Sequence, residues 1–303
     1  MPHRENPVNH HICITGVTAM ICALASCSTI PPAHDPEPES GGPADLAGEY
    51  THDLMNQVHG QFVDTRGRVD YAGLQVDPGA LDRYYSLIAT HTPDTDPHLF
   101  PNEASRLAFW INAYNAAVLK TVITHYPIQS VSDVKPPPLI NLLSAQSGFF
   151  YFQRLIFGGE TMNLYDLEHE IIRGRFPDPR IHFAINCASL GCPKLPQEAF
   201  TTDRLDQQLQ REATEFLNEE RNLRIDDATR TVHLSSILSW YADDFLGWLH
   251  LTYPDMTDPT LLDYARLYVS GERRAAVDRA REGGYDVVIT PYDWRLNDQA
   301  ATY

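Results

Sequence analysis

The sequence is poor in basic residues, in cysteine and in glycine. Its 303 residues include 23 lysines and arginines against 40 aspartates and glutamates, which gives a formal net charge of −17. Because a chain this acidic repels phosphates and contains no run of Lys and Arg, the composition argues against nucleic acid as a partner. The 17 glycines and 5 cysteines exclude collagen-like and disulfide-rich proteins. The hydrophobic fraction of 43% excludes a chain that is disordered throughout and predicts a folded core.

Long hydrophobic runs are also missing, because beyond residue 30 no uncharged apolar stretch is long enough to span a membrane. The apolar run at 12–25 is short for a span and is typical of the hydrophobic region of a secretory signal. A Leu-Ala-Ser-Cys sequence that ends at Cys27 resembles the bacterial lipobox, in which small residues admit the peptidase and the thiol takes the lipid. We therefore predict that residues 1–26 are a lipoprotein signal peptide and that Cys27 is lipidated. An ordinary signal peptide or a buried apolar helix is the alternative.

The residues after Cys27 predict where the protein resides. Ser28 is not the aspartate that resembles an inner-membrane retention signal, so we predict a cell-envelope protein held at the outer membrane and facing the periplasm. Proline, glycine and polar residues dominate 27–48, a composition typical of a semi-rigid tether. Residues 49–303 are predicted to form a single globular domain. The predicted partners are the membrane, through the lipid, and an unidentified small molecule or envelope component, and no cofactor is predicted.

The pattern of apolar residues in the body predicts helices with scattered strands between them. The strongest helix covers about 103–125, where apolar residues recur every three or four positions, and Asn102 is its predicted N-cap. Strands are predicted at about 149–157, 181–187, 223–226, 231–234 and 286–290. The predicted fold class is therefore α+β, a helix-rich single domain around a small, mostly antiparallel or mixed sheet.

Two cysteines, Cys187 and Cys192, remain once the predicted signal and lipidation site are set aside. In an oxidising periplasm they can form a disulfide, or one can act as a reactive thiolate with the other to resolve it. Cys187 lies where a predicted strand ends, a common position for active-site residues. A nucleophilic cysteine needs a base, which His182 or, from the preceding helix, His169 can supply.

The candidate site residues fall into a catalytic and a binding group. The catalytic candidates supply a nucleophile, a base, an orienting amide or a carboxyl group, and they are Cys187, His182, His169, Asn112, Asn186 and Glu168. The binding candidates are Asn115, Arg180 and Ser189, of which Arg180 suits an anionic substrate.

Each of these candidates has a structural alternative. The two cysteines can form a structural disulfide, and His182 can be a hydrogen-bonded core residue. Asn112 and Asn115, one helical turn apart, can bind backbone. Asp243 and Asp244 are predicted on a solvated helix face. A metal site with His169, His182 and an acidic residue lacks a recognised ligand spacing, and two thiols are too few for a four-thiolate zinc site, so no metal is predicted.

Four segments of the body carry distinctive motifs. They are Phe109–Ala116 (Phe-Trp-Ile-Asn-Ala-Tyr-Asn-Ala), Leu167–Arg173 (Leu-Glu-His-Glu-Ile-Ile-Arg), Asp178–Ser189 followed by Cys192-Pro193, and Pro291–Asn297 (Pro-Tyr-Asp-Trp-Arg-Leu-Asn). In this order they resemble the domain of unknown function family numbered 547, over about 50–297. The resemblance implies a single domain and no settled activity. Relatives joined to glutaredoxin or to other signalling modules point toward thiol chemistry and equally toward interaction.

Two hypotheses about function follow. In the first, the protein is a lipid-anchored envelope enzyme, a hydrolase or a thiol or acyl transferase, with Cys187 as nucleophile and a histidine as base. Asn112 or Asn186 would then orient the base or donate to an oxyanion. In the second, the protein is a non-catalytic binding or scaffold lipoprotein, and the Cys187–Cys192 disulfide is structural.

Overall fold

The computed structural model describes residues 28–32, 48–137 and 146–301. The predicted signal peptide, the predicted lipidation site Cys27 and residues 33–47 of the predicted tether lie outside the described residues. Among the described residues helices predominate, and the strands form two three-stranded sheets. The α+β class predicted from the sequence is confirmed, with the strands divided between two small mixed sheets.

Helices and short strands alternate along the chain. The α-helices are α1 (Asp53–Phe62), α2 (Tyr71–Val76), α3 (Gly79–Thr90), α4 (Glu103–His125), α5 (Ser147–Phe150), α6 (Leu164–Asp166), α7 (Arg173–Arg175), α8 (Leu205–Asn218), α9 (Ser236–Trp240), α10 (Ala242–Thr252), α11 (Leu261–Arg266) and α12 (Gly271–Gly283). A π-helical segment, Leu167–Ile172, joins α6 to α7, and 3₁₀ helices cover Pro97–Leu99, Val131–Asp133 and Pro179–Phe183. The strands are β1 (Ser28–Thr29), β2 (Gln153–Phe157), β3 (Glu160–Met162), β4 (Leu223–Asp226), β5 (Thr231–Ser235) and β6 (Asp286–Thr290).

The long helix α4 carries two of the predicted site residues into the core. Asn102 begins it with a capping box, since its side chain accepts from the Ser105 N–H at 2.9 Å and Ser105 Oγ accepts from the Asn102 N–H at 3.2 Å. The helix is buried on almost all sides, and Asn112 and Asn115 are buried with it. Buried amides require hydrogen-bond partners, so these two side chains constrain which chain segments can pack against α4.

The two sheets each combine a hairpin with one parallel strand. In the first, β2 and β3 are antiparallel around Gly158 and Gly159, whose φ angles of 56° and 83° favour glycine, and β1 pairs in parallel with β2. In the second, β4 and β5 form the predicted antiparallel hairpin and β6 lies parallel to β5. The predicted strand at 149–157 is correct only in its second half, because residues 147–150 form α5.

Residues 28–32, which the sequence places in a tether, lie against the domain. β1 pairs with β2 so that Ser28 is opposite Gln153. Ile30 is 3% exposed, and its carbonyl accepts a hydrogen bond from the Tyr85 hydroxyl at 2.9 Å. The proline-rich composition favours a spacer, but one buried isoleucine and a strand pairing are enough to fix this short segment on the surface.

Two clusters of buried apolar side chains form the core. The larger draws mainly on α1 to α6, the smaller on α9 to α12 with β4 and β5, and α8 contributes to both. The segment 181–187 lies between them, since Ile181 and Ile185 belong to the larger cluster and Phe183 to the smaller. The predicted strand at 181–187 is wrong, because the chain forms the 3₁₀ helix Pro179–Phe183 and continues as an irregular loop. A segment whose apolar residues face two different cores has the same apolar run as a buried strand. The sequence pattern therefore does not distinguish the two structures.

Candidate functional site

Asn112 and Asn115 hold the chain segment that contains the two cysteines. Asn115 Nδ2 donates to the Ala184 carbonyl at 3.0 Å, and its Oδ1 accepts from the Asn186 N–H at 2.9 Å. Asn112 makes the same pair of bonds with one residue, donating to the Phe200 carbonyl at 2.7 Å and accepting from the Phe200 N–H at 3.0 Å. Both side chains therefore bind backbone, the structural alternative considered from the sequence, and they fix this segment on α4.

Asn186 closes the loop that carries the cysteines. Its Nδ2 donates to the Pro193 carbonyl at 2.7 Å, and its Oδ1 accepts from the Ala188 N–H at 2.8 Å. Asn297 Nδ2 also donates to Asn186 Oδ1 at 3.3 Å. The Ala188 φ of 61° shows that the backbone turns sharply here. The loop is therefore held by hydrogen bonds that do not involve sulfur.

Cys187 and Cys192 form a disulfide across this loop, with their Cα atoms 6.3 Å apart. Cys192 is 3% exposed, whereas Cys187 is partly exposed. The Cys187 N–H donates to Cys192 Sγ at 3.0 Å. The Tyr292 hydroxyl lies 2.9 Å from the Sγ atoms of both cysteines. Because a disulfide sulfur has no proton, Tyr292 is the donor in these contacts.

Tyr292 reaches the disulfide because Gly191 leaves room for its ring. A Cβ atom on Gly191 would lie 2.8 Å from that ring, and the Gly191 N–H donates to the Asp293 carbonyl at 2.9 Å. Burial raises the pKa of Tyr292 well above its usual value, although a hydrogen bond with Ser189 and the charge of Arg221 act in the opposite direction. The hydroxyl therefore stays protonated at neutral pH. Tyr292 is a site residue that the sequence analysis missed, and its place in the Pro-Tyr-Asp-Trp motif was the signal that could have found it.

A cavity of about 450 Å³ lies beside the disulfide. Its wall includes Cys192, Tyr292 and two of the predicted site residues, Asn186 and Ser189. Ser189 is 1% exposed and its hydroxyl bonds to Tyr292. The cavity is large enough for a small molecule or a few residues of a peptide.

Glu168 lies at the centre of a buried polar network. Tyr241 donates to Glu168 Oε1 at 2.5 Å and Tyr114 donates to Oε2 at 3.3 Å. Burial, with a contribution from the Glu168 charge, raises the pKa values of Tyr114 and Tyr241 far above the usual value. The same charge raises the pKa of Tyr292, so Glu168 acts electrostatically on the tyrosine that contacts the disulfide. Glu168 also lies in the π-helical segment Leu167–Ile172, a geometry frequent at functional sites.

His182 joins the network from the opposite side of Tyr241. Its ring stacks on the Tyr241 ring with centroids 3.8 Å apart, and its Nε2 lies 2.7 Å from Asp244 Oδ2. Arg173 Nε donates to the same carboxylate at 2.8 Å. Burial lowers the pKa of His182 despite the opposing effects of Asp244 and Glu168, so the ring is neutral at neutral pH and donates from Nε2. Its Nδ1 is buried and has no hydrogen-bond partner among the described residues.

The sequence predicts Asp244 on a solvated helix face, but the residue is partly buried between His182 and Arg173. Burial alone would raise the pKa of Asp244, but the hydrogen bonds from His182 and Arg173 outweigh it and hold the pKa far below its usual value. The expectation was wrong because the partner histidine is 62 residues away in the chain, beyond the reach of a helical pattern.

His169 and Arg180 have other partners. His169 Nδ1 lies 3.0 Å from the Tyr165 carbonyl, and its ring stacks on the Tyr165 ring at 3.8 Å between centroids. Arg180 is paired with Asp178 at 2.7 Å and with Asp206 at 2.9 Å. The hydrogen bonds of the described residues therefore bring both cysteines to Tyr292, and Asn186 and Ser189 lie in the wall of the same cavity. These hydrogen bonds join neither predicted histidine to Cys187.

The described part of the chain contains no group of three or more His, Cys, Asp and Glu side chains arranged to hold a metal ion. None of its helices is both long enough and apolar enough to cross a membrane.

Comparison with known proteins connects this site to a family. Residues 100–217 match the model of the family described as "Protein of unknown function, DUF547". The match supports the family number that the motifs indicate. The matched segment holds α4, Glu168 and both cysteines, whereas Tyr241, Asp244 and Tyr292 lie beyond it. The chain thus contains a domain similar to a family without an assigned function. No curated protein and no solved structure matches the chain.

Proposed function

We propose that this protein catalyses thiol–disulfide exchange with the Cys187–Cys192 disulfide as its reactive group. The observation that carries the proposal is the Tyr292 hydroxyl, 2.9 Å from both sulfurs and in the wall of a cavity. A donor in this position stabilises a thiolate on either sulfur, which is what a leaving cysteine needs. Among the cysteine reactions considered from the sequence, this favours thiol transfer over hydrolysis, because no hydrogen bond of the described residues joins either predicted histidine to Cys187 as a base.

The exchange takes place in two steps. A thiolate of the substrate attacks Sγ of Cys187, the more exposed of the two cysteines. A bond forms to Cys187 while the bond to Cys192 breaks, and the electron pair stays on Cys192. The new Cys192 thiolate accepts hydrogen bonds from the Cys187 N–H and the Tyr292 hydroxyl. A second thiol of the substrate then displaces Cys187. The substrate leaves as a disulfide, and the protein has gained two electrons and two protons as a dithiol.

A purely structural disulfide is the competing proposal. Closing so short a loop stabilises a protein by only about 2 kcal/mol in the chain-entropy description. Here Asn186 already bridges the same loop, from the Pro193 carbonyl to the Ala188 N–H. The disulfide therefore adds less stability to this loop than it would to a loop without such bonds. This supports a chemical role for the sulfurs.

Replacing Tyr292 by phenylalanine tests the proposal. Tyr292→Phe keeps the ring beside Gly191 and removes the hydroxyl that donates to the leaving sulfur. We expect the rate constant for reduction of the native protein by dithiothreitol to fall about tenfold, since one hydrogen bond to a thiolate is worth about 1.4 kcal/mol. The measurement is the appearance of free thiol under conditions where the protein stays folded.

Tyr253→Phe is the matched control, because Tyr253 is 38% exposed and its ring packs on Trp248 instead of the disulfide. It should leave the rate unchanged. Equal reduction rates in Tyr292→Phe and wild-type protein, with both folded, would remove the support for thiol exchange.

We also propose that Cys27 carries a lipid and holds the domain at the outer membrane, facing the periplasm. The support for the lipid is the lipobox-like sequence, and the position of β1 determines how close the lipid would be to the domain. Ser28 directly follows Cys27 and pairs with Gln153, so the lipid would be joined to the domain surface through one peptide bond. The domain would then lie against the membrane, with Phe152 and the exposed Tyr151, just before Gln153, closest to the lipid.

An insertion between Cys27 and Ser28 tests this arrangement. About eight Ser and Gly residues there would add a spacer of roughly 25 Å while leaving β1 intact. In lipid-modified protein bound to phosphatidylcholine vesicles, we expect backbone amides at 149–157 to exchange with deuterium more slowly than in protein without lipid, and the insertion to abolish this protection. A lipidated protein whose segment 149–157 exchanges equally with and without the insertion contradicts the arrangement, and an intact mass without lipid at Cys27 contradicts the anchoring itself.

A further inference from the structure

The cavity beside the disulfide is lined by more cations than carboxylates, although the whole chain carries a net charge of −17. Four cationic side chains and one carboxylate, Asp293, are in its wall. The cations are Arg66, Arg68, Lys194 and Arg221. The charge of this cavity wall is opposite in sign to the net charge of the chain. Such a local concentration of positive charge indicates a role at this cavity.

The ion pairs of these residues do not cancel the excess. Lys194 and Arg221 share a single carboxylate, Glu219, each with an N–O distance of 2.6 Å. Asp293 in the wall is itself paired with Arg295 at 2.5 Å. Arg66 is paired with Asp64 at 3.3 Å. With these partners counted, and even with Arg68 left out, four cations (Arg66, Lys194, Arg221 and Arg295) face three carboxylates (Asp64, Glu219 and Asp293).

Arg221 brings this charge to the disulfide. Its guanidinium donates to the carbonyl of Leu190 and, at 3.1 Å, to the carbonyl of Cys192. Its charge also acts on Tyr292 and Asp293, because it opposes the rise in the pKa of Tyr292 and contributes to lowering the pKa of Asp293. A negatively charged group in the cavity would therefore meet a favourable field within reach of the sulfur atoms.

We infer that the cavity selects an anionic thiol, one that carries a carboxylate near its sulfur, as the partner in exchange. The inference rests on the proposed function and adds the class of substrate. Lys194 and Arg221 attract the carboxylate of the substrate, which places its thiolate beside the disulfide at the wall of the cavity and raises the rate of attack. The carboxylate takes no part in the bonds that form or break. With a substrate that has a single thiol, a second molecule of it attacks the mixed disulfide and displaces Cys187, so two thiols leave as one disulfide and the protein becomes a dithiol.

Thiols that differ mainly in charge test the inference. The rates of reduction by 3-mercaptopropionate, 2-mercaptoethanol and 2-mercaptoethylamine are measured on the native protein and divided by their rates on a small neutral disulfide, which corrects for thiol pKa. We expect the anionic thiol to be favoured about tenfold over the cationic one at low ionic strength, and the preference to shrink in 1 M salt, where the Debye length falls to about 3 Å.

Lys194→Gln and Arg221→Gln should each reduce this preference several-fold, and Arg279→Gln is the matched control. Arg279 is an exposed arginine paired with Asp227 outside the cavity wall, and its loss should change nothing. Equal normalised rates for all three thiols, or a preference that neither cavity variant changes, would overturn the inference while leaving thiol exchange standing. A native protein that no thiol reduces would instead overturn the proposed function.

Discussion

Asn115→Ala is expected to destabilise the protein by about 3–4 kcal/mol, a large fraction of the stability of a typical domain. The side chain is 1% exposed and satisfies the Ala184 carbonyl and the Asn186 N–H at once. Removing it leaves two buried backbone groups without partners, and each such group costs about 1–3 kcal/mol. The free energy of unfolding, measured with urea, gives the effect directly.

Asn218→Ala is the matched control for this prediction. Asn218 also donates from its amide to backbone carbonyls, of Thr214 at 2.7 Å and of Tyr268 at 2.9 Å, but it is exposed, so water replaces the lost bonds. Its loss should cost below about 1 kcal/mol. Similar costs for the two variants would show that Asn115 does not hold the cysteine segment as described.

Acidification is expected to destabilise the protein steeply below pH 6.5. Burial lowers the pKa of His52 from 6.5 to about 3 and that of His59 to about 4, and it also lowers the pKa of His182. As the pH falls below 6.5, the unfolded state therefore binds about two protons, at His52 and His59, that the folded state does not bind, and His182 acts in the same direction, so stability falls with the pH. Glu212 opposes this, because burial raises its pKa to about 7 and the folded state binds that proton first.

His52 and His59 less Glu212 leave about one proton, which corresponds to a loss of about 1.4 kcal/mol per pH unit between about pH 6 and pH 5, and His182 adds to this loss. Urea unfolding at a series of pH values measures the slope. His52→Gln should make it shallower by about 1.4 kcal/mol per pH unit, and Glu212→Gln should make it steeper. His250→Gln, at an exposed position, should leave it unchanged. A slope near zero in the wild-type protein would contradict the neutral, buried state of these histidines.

Local signals predicted several elements of the fold well. The cap at Asn102 and the periodicity after it predicted α4, and the polar turn around Asp226 predicted the β4–β5 hairpin. These signals are local, because a cap or a turn is decided by residues a few positions apart. At 181–187 the same reasoning failed, since two separate cores there produce an apolar pattern that short-range rules assign to a strand.

The candidate site was predictable only in part for a similar reason. Cys187, Cys192, Asn186 and Ser189 are neighbours in the sequence, and they are neighbours in the structure. Tyr292 lies 105 residues from Cys187, so no local pattern joins the two. A motif can mark such a residue as unusual, but only the packing of the chain shows which group it contacts.

The rate at which the native disulfide is reduced tests the central proposal most directly. Mature protein is treated with dithiothreitol, and the free thiols are alkylated with iodoacetamide. Mass spectrometry follows the modification of Cys187 and Cys192, and its rate is compared with the rate of unfolding under the same conditions. If the disulfide is the reactive group of the site, both cysteines become modified at least about tenfold faster than the protein unfolds, because the thiol reacts with the folded state. Modification that occurs only as fast as unfolding, and that accelerates with urea in parallel with it, would show that the disulfide is structural.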